Sequence, residues 1–132
     1  MSDATNSGDR LRPHPDDRFV SQQIDFDLNA RAARLRLEPQ AGERGHRQET
    51  LYHRDGFTLA LFLFGRFSHL PPHRADGIVN IHVLRGRLKI TVENQIHELR
   101  GGQMLVLAPD VEHAVAAEEE SEMLLTVQLV RG

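Results

Sequence analysis

The chain has 132 residues, 39% of them hydrophobic, which is enough for one core and too little for two independent domains. It contains no cysteine, so disulfides, a thiol nucleophile and a cysteine-ligated zinc ion are all excluded. The formal net charge of −3 argues against a nucleic-acid partner, because proteins of that class usually present a basic face.

The start of the chain has the composition of a disordered tail. Residues 1–18 are polar and rich in Ser, Asp, Arg and Pro. They contain no apolar stretch of the kind found in a secretory signal, and no run anywhere in the chain approaches the ~20 apolar residues that cross a bilayer. We therefore expect a cytoplasmic protein without a membrane partner.

Residues 19–49 are predicted to hold one short helix followed by a linker. Asp27 is a suitable N-cap, because its carboxylate can accept a hydrogen bond from the first turn. Pro39 cannot continue a helix, and the segment from Gln40 to Gln48 is charged and contains glycine. Between these limits, apolar side chains recur at the i, i+4, i+7 spacing of one helix face: Leu28, Ala32 and Leu35.

Residues 50–132 are predicted to form a β domain. The segment from Phe57 to Phe64 is apolar at almost every position, as expected for a strand buried on both faces. The segment from Ile78 to Leu84 alternates between apolar and polar residues, which is typical of a strand with one buried face. Six or more short segments of this kind, separated by turns, indicate an all-β sandwich or barrel.

The apolar segment from Phe57 to Phe64 also bears on the quaternary structure. A single barrel wall buries only one face of a strand, whereas this strand is apolar on both faces. Its outer face therefore needs a cover, which either a second subunit or the N-terminal segment would supply. On this ground we expect a homodimer.

The stretch from His73 to Val115 resembles the two sequence motifs of the cupin superfamily. The turn Val83-Leu84-Arg85-Gly86 is similar to the end of the first motif. Gly102, the apolar segment after it, Ala108-Pro109 and His113 are similar to the second motif. The resemblance implies a double-stranded β-helix, the jelly-roll barrel of the RmlC-like cupins. It is nearest to small single-domain bacterial cupins that have no assigned activity.

The spacing of the first cupin motif can be counted back from Gly86. The position of the usual glutamate ligand then falls on Val79, and the two histidine positions fall on His73 and Ala75. The histidine of the second motif corresponds to His113. The resemblance therefore implies an incomplete metal site, in which two imidazoles remain and the carboxylate is replaced by an apolar side chain.

Two glycines of the family motifs are replaced as well. Phe67 stands at the glycine position of the first motif, and Asp110 stands at that of the second. A glycine in a turn often marks a positive φ, which aspartate tolerates better than most other residues. We therefore expect the turn at Asp110 to be preserved despite the replacement.

Two imidazoles alone make a weak site for a divalent ion, because an open catalytic site typically has three protein ligands and one solvent position. His69 is the candidate third ligand, and it lies four residues before His73 across two prolines. Without a metal, the two imidazoles belong to a ligand pocket. Arg74 beside them is either solvated or salt-bridged at the surface, or holds an anionic ligand. The residues expected in that pocket are His73, His113, Val79, Ala75 and Arg74.

The leading interpretation is a protein that binds a small organic molecule in the mouth of the barrel, with little or no catalysis. The alternative is an enzyme. It would be either a metal-dependent oxygenase or isomerase with a non-standard ligand set, or a metal-free acid–base catalyst using His73 or His113. A sensor or accessory subunit that acts through its dimer surface is a third possibility. The missing carboxylate favours binding, no cofactor beyond one divalent ion is implied, and the fold does not decide among these functions.

Overall fold

The computed structural model describes residues 22–39 and 45–130, in which one helix precedes nine strands. The predicted all-β fold with one short N-terminal helix is confirmed. The tail predicted for residues 1–18 and most of the predicted linker lie outside the described residues. The elements are α1 (Leu28–Arg36), β1 (His46–Arg54), β2 (Phe57–Phe64), β3 (His69–His73), β4 (Gly77–Arg85), β5 (Arg87–Val92), β6 (Gln95–Arg100), β7 (Met104–Leu107), β8 (His113–Ala117) and β9 (Ser121–Leu129).

The strands form two antiparallel sheets. The five-stranded sheet has the order β1-β2-β9-β4-β7, and the four-stranded sheet has the order β3-β8-β5-β6. Strands that are distant in sequence pair along their whole length, as β2 does with β9, which is typical of a jelly roll. The inner faces of both sheets contribute to one apolar core, whose fully buried members include Ile81, Val83, Leu88, Ile90 and Met123.

Helix α1 begins where the sequence predicted. The carboxylate of Asp27 accepts a hydrogen bond from the backbone N–H of Ala30 at 3.1 Å, which satisfies one of the free donors of the first turn. Arg34 and Arg36 stand in the last turn, where positive charge favours the negative end of the helix dipole. No helix in the described part of the chain is long and apolar enough to span a membrane.

Helix α1 packs on the outer face of β1 and β2. Strand β2 therefore has two buried faces, because Phe62 and Phe64 point into the barrel while Leu61 and Leu63, which alternate with them, point outward to the helix. The chain itself supplies a cover for the outer face of this apolar strand, and the homodimer stays a prediction. The buried side chains of this second cluster are Ala32, Leu35, Leu51, Leu61 and Leu63.

Strand β1 begins at His46, ahead of the boundary at residue 50 that the sequence suggested. The polar stretch His46–Glu49 pairs with Leu61–Phe64 of β2 and so belongs to the sheet. Glu49 is buried, and its carboxylate forms an ion pair with the guanidinium of Arg31 in α1 at 2.9 Å. The buried carboxylate of Glu49 is compensated by this arginine of the helix. The sequence around Glu49 gives no sign of such a partner.

Two turns keep a left-handed backbone at positions where the cupin motifs have glycine. Asp110 has a φ of 65°, which confirms the expectation that this turn is preserved. Phe67 has a φ of 68° although its side chain is large and 73% exposed. Such a conformation is strained for a bulky residue. It is held by backbone hydrogen bonds on both sides, from Phe67 N–H to Ala117 O and from Ser68 N–H to Gly65 O.

Candidate functional site

Two histidines face each other across the pairing of β3 and β8. His73 and His113 are direct partners in the register, and the centroids of their rings are 4.4 Å apart with the ring planes inclined by 56°. The register of β3 is interrupted between Leu70 and His73, where Pro71 and Pro72 have no N–H to donate. In a regular strand, His73 would lie on the same face as His69, four residues earlier. The interruption changes this alternation, so that His73 is paired with His113.

Both imidazoles are held in the same way by the backbone. The Nδ1 atom of His113 lies 3.1 Å from the carbonyl oxygen of Val111, and that of His73 lies 3.3 Å from the carbonyl oxygen of Pro71. A carbonyl oxygen only accepts hydrogen bonds, so Nδ1 carries the proton in each ring. In the neutral imidazole the Nε2 atom is then an acceptor, and no described residue donates to Nε2 of either ring.

The two rings differ in exposure. His113 is only 3% exposed, whereas His73 is exposed at the end of β3. Burial lowers the pKa of His113 below its ordinary value near 6.5, and the neighbouring His73 lowers this pKa further. The hydrogen bond to the carbonyl of Val111 raises the pKa and offsets part of the shift. His113 is therefore a neutral imidazole at physiological pH.

We expect the free energy of unfolding to fall as the pH drops from about 7 toward 5. In the unfolded chain His113 takes up a proton near its ordinary pKa, whereas in the folded protein its pKa is lower. Between about pH 7 and 5 the unfolded state therefore binds more protons than the folded state. The stabilising contribution of the neutral His113 is fully present above this range and is lost as the pH falls through it. Urea titrations across the window should show a smaller pH slope for His113→Gln and an unchanged slope for His69→Gln. An unchanged slope for His113→Gln would contradict this assignment.

The two imidazoles form part of the wall of a cavity of about 180 Å³ inside the barrel. The wall is mostly apolar, and no Asp, Glu, Lys or Arg side chain belongs to it. Its polar members are one amide and the two imidazoles. The cavity is lined by Gln48, Phe62, Leu70, His73, Ile81, His113, Val115, Met123 and Leu125.

Gln48 is a cavity residue that the sequence did not reveal, because it falls in a stretch interpreted as linker. In the structure it lies on β1 opposite Phe62. Its side-chain oxygen accepts a hydrogen bond from Nε2 of His46 at 3.2 Å, and the His46 ring stacks on Phe62 at 5.9 Å. No described residue accepts a hydrogen bond from the amide N–H groups of Gln48. The only sequence signal was the alternation of His46, Gln48 and Thr50 on one face of a strand.

The other residues that the sequence assigned to the pocket are not among those that line the cavity. Val79 is buried in the apolar core, and Ala75 packs against that core, but neither lines the cavity. Arg74 is exposed and directed to the turn before β8, where it donates to the carbonyl of Asp110 at 3.2 Å and lies 3.9 Å from the carboxylate of Glu112. This arginine is therefore engaged with its own chain, away from the cavity wall.

The described residues supply an incomplete donor set for a divalent ion. His69 is exposed and pairs with Ala116 on the register of β3, and it does not line the cavity. Within residues 22–39 and 45–130, no three side chains of His, Asp or Glu are grouped closely enough to hold a metal. His73 and His113 supply two nitrogen donors, which is fewer than the three protein ligands of a typical open site.

The sequence and the fold can both be compared with known proteins. Residues 65–128 match the sequence model of the cupin domain. A conserved protein of unknown function from Streptococcus pyogenes shares the fold, with a TM-score of 0.68 and 20% identity over 86% of this chain and 93% of that one. A cupin superfamily protein from Desulfitobacterium hafniense is similar to the same degree, with a TM-score of 0.68 and 20% identity over 83% of this chain and 94% of that one.

A third structure has a higher sequence identity. It is a cupin 2 conserved barrel domain protein from Leptotrichia buccalis, with a TM-score of 0.62 and 28% identity over 67% of this chain and 43% of that one. No curated protein matches the chain. These likenesses support the jelly-roll barrel that the strand order shows, and they carry no information on a substrate.

Proposed function

This chain carries a cupin domain, and we propose that the domain binds a small organic molecule in the cavity beside His73 and His113. The observation that carries the proposal is an apolar cavity whose wall includes two neighbouring imidazoles and one amide as its polar groups. Binding sites for small molecules commonly have this composition, because apolar walls bury the ligand and a few polar groups orient it.

The size of the cavity limits the size of the ligand. A dry apolar cavity of ~150 Å³ in another protein is large enough to hold benzene. The present cavity, at about 180 Å³, therefore suits a molecule built on a single ring or on an alkyl group of similar volume. A nucleotide or a sugar phosphate is too large and too highly charged for it.

The exposure of the two imidazoles indicates how a ligand enters. His73 is exposed at the end of β3, whereas His113 beside it is buried. The cavity therefore reaches the surface on the side of His73. A molecule entering there passes one imidazole and meets the second with its polar end, while its apolar part contacts Leu70, Val115 and Leu125.

Methyl NMR tests this proposal directly. Toluene and phenol, titrated into the protein, are expected to shift the methyl resonances of Leu70, Ile81 and Met123, which line the cavity. Binding should also raise the melting temperature, since a ligand at about 100 times its Kd stabilises the folded state by about 2.7 kcal/mol.

The matched variants fill the cavity or leave it open. Leu70→Trp places a larger side chain in the cavity wall and should abolish the shifts. Leu129→Trp makes the same change at an exposed position outside the wall and should preserve them. If neither probe perturbs any cavity methyl group in the unaltered protein, the proposal is wrong.

A metal-dependent cupin enzyme of the oxygenase or isomerase type is the second candidate. It is favoured by one observation, namely that the unengaged Nε2 atoms of His73 and His113 belong to neighbouring rings. The described residues offer no third ligand beside them. Metal content of untagged protein, measured by mass spectrometry after purification without chelator, separates the two candidates. Near-stoichiometric metal that is lost in His73→Phe and retained in His69→Phe would favour the enzyme.

A further inference from the structure

We propose that the ligand of this cavity is a neutral, ring-sized molecule bearing a hydroxyl group, which donates its hydrogen bond to Nε2 of His73 or His113. A phenol or a small alicyclic alcohol has this chemistry. The inference rests on the proposed binding function and adds the chemical class of the ligand. It disfavours carboxylates and other molecules that only accept hydrogen bonds.

The first step of the argument is the direction of the hydrogen bonds at the two imidazoles. Each ring already uses its Nδ1–H to bond a backbone carbonyl two residues earlier in the chain, at 3.1 Å for His113 and 3.3 Å for His73. A neutral ring with a proton on Nδ1 has only a lone pair on Nε2. The cavity therefore presents two acceptors on one side, and a ligand must bring the donor.

The second step is the cost of the opposite arrangement. A carboxylate would need a proton on Nε2, and hence a positively charged ring in an apolar wall. His113 is buried, and burial disfavours its charged form. No charged side chain lines the cavity, so an anionic ligand would also be buried without a countercharge. Arg74, the one cation that the sequence placed here, is bonded to the Asp110 turn instead.

The third step is the remaining polar group. The side-chain oxygen of Gln48 is occupied by His46, which leaves the amide N–H groups of Gln48 as the donors on the cavity wall. A hydroxyl group both donates and accepts, so its proton can go to an imidazole and its oxygen can accept from Gln48. An ether oxygen can use only the amide, and a hydrocarbon can use neither group. A hydroxyl is therefore the group that can donate to an imidazole and is also able to accept from an amide of the cavity wall.

Four probes of similar size test the inference by isothermal titration calorimetry at pH 7.5. Phenol can donate and accept, anisole can only accept, toluene can do neither, and benzoate is an anion. Phenol is expected to bind about tenfold more tightly than anisole or toluene, which is the effect of one ordinary net hydrogen bond. Benzoate is expected to bind more weakly than phenol.

Variants locate the effect at the imidazoles. His73→Phe and His113→Phe each remove an acceptor from the wall and should reduce the preference for phenol over toluene. His69→Phe is the control, because its ring lies on the same strand outside the cavity, and it should keep the full preference. If His113→Phe does not fold, the ¹⁵N chemical shift of Nε2 of His113, measured by NMR in the His73→Phe protein with and without phenol, replaces it: a shift on binding supports donation to His113, and no shift together with an undiminished preference overturns the inference.

The possible outcomes separate the two proposals. Anisole, toluene or benzoate binding as tightly as phenol would overturn the hydroxyl inference and leave a cavity that binds small molecules. An undiminished preference for phenol in both His73→Phe and His113→Phe would also overturn it, since the hydroxyl group of phenol would then not donate to either imidazole. Failure of all four probes to bind would overturn the proposed function itself.

Discussion

Replacement of Gly86 by alanine is expected to destabilise the protein by at least about 3 kcal/mol. Gly86 joins β4 to β5 with a φ of +87°, a conformation that L side chains rarely adopt. A Cβ atom there would lie 2.3 Å from the carbonyl oxygen of Glu120 and 2.7 Å from Cα of Ser121. Since these are backbone atoms, the contact can be relieved only by moving the strand. Urea denaturation of the purified variant measures the loss.

Gly102 provides the matched control for this prediction. Its φ is +90°, nearly the same as that of Gly86, but a Cβ atom there would have no neighbour within 4 Å. Gly102→Ala therefore incurs only the conformational cost, about 1 kcal/mol. The difference between the two variants isolates the steric contact with the Glu120–Ser121 backbone. Equal losses would mean that the turn at Gly86 moves away from that backbone without cost.

The second large effect is expected at the interface between α1 and the barrel. Leu35 is 1% exposed and is packed among leucines of β1 and β2. Leu35→Ala removes its buried methyl groups and leaves a cavity, which typically costs about 2–5 kcal/mol. Leu37→Ala, one residue beyond α1 and 84% exposed, makes the same chemical change at the surface and should change stability by less than about 0.5 kcal/mol.

The same pair of variants tests whether the helix is a permanent cover. If Leu35→Ala loosens α1, the apolar outer face of β2 becomes accessible, and light scattering should show self-association that Leu37→Ala lacks. A stability loss for Leu35→Ala as small as that for Leu37→Ala would show that α1 does not unfold with the barrel. Its role as the cover of β2 would then be wrong.

Local patterns were sufficient for the parts of the fold that depend on periodicity and caps. The spacing of Leu28, Ala32 and Leu35, with Asp27 before it, predicted α1, and the apolar run from Phe57 to Phe64 predicted β2. The first residues of β1 were missed because no local pattern marks them as a strand. Their side chains are polar, and what places them in a sheet is the pairing with β2 and the contact between Glu49 and Arg31, both distant in sequence.

The site was only partly accessible from sequence for a related reason. Motif spacing selected His73 and His113, but it could not show that the two rings lie 4.4 Å apart or that each gives its Nδ1 proton to the backbone. It selected Val79, Ala75 and Arg74 as well, because spacing does not show which of the core side chains reach the cavity or that Arg74 is bonded to the Asp110 turn. Gln48 was missed because it comes from a different strand and from outside both motifs.

The two prolines of β3 affect how this protein meets other molecules. β3 is the last strand of its sheet, and such edges offer unpaired N–H and C=O groups to which strands of other chains can add. Pro71 and Pro72 both lack an N–H group, and the register of the strand is broken where they stand, so this stretch cannot offer a regular ladder of donors. The rim of the cavity is therefore a poor template for intermolecular β-pairing. The edge strand beside the cavity can thus stay open to solvent without inviting edge-to-edge aggregation.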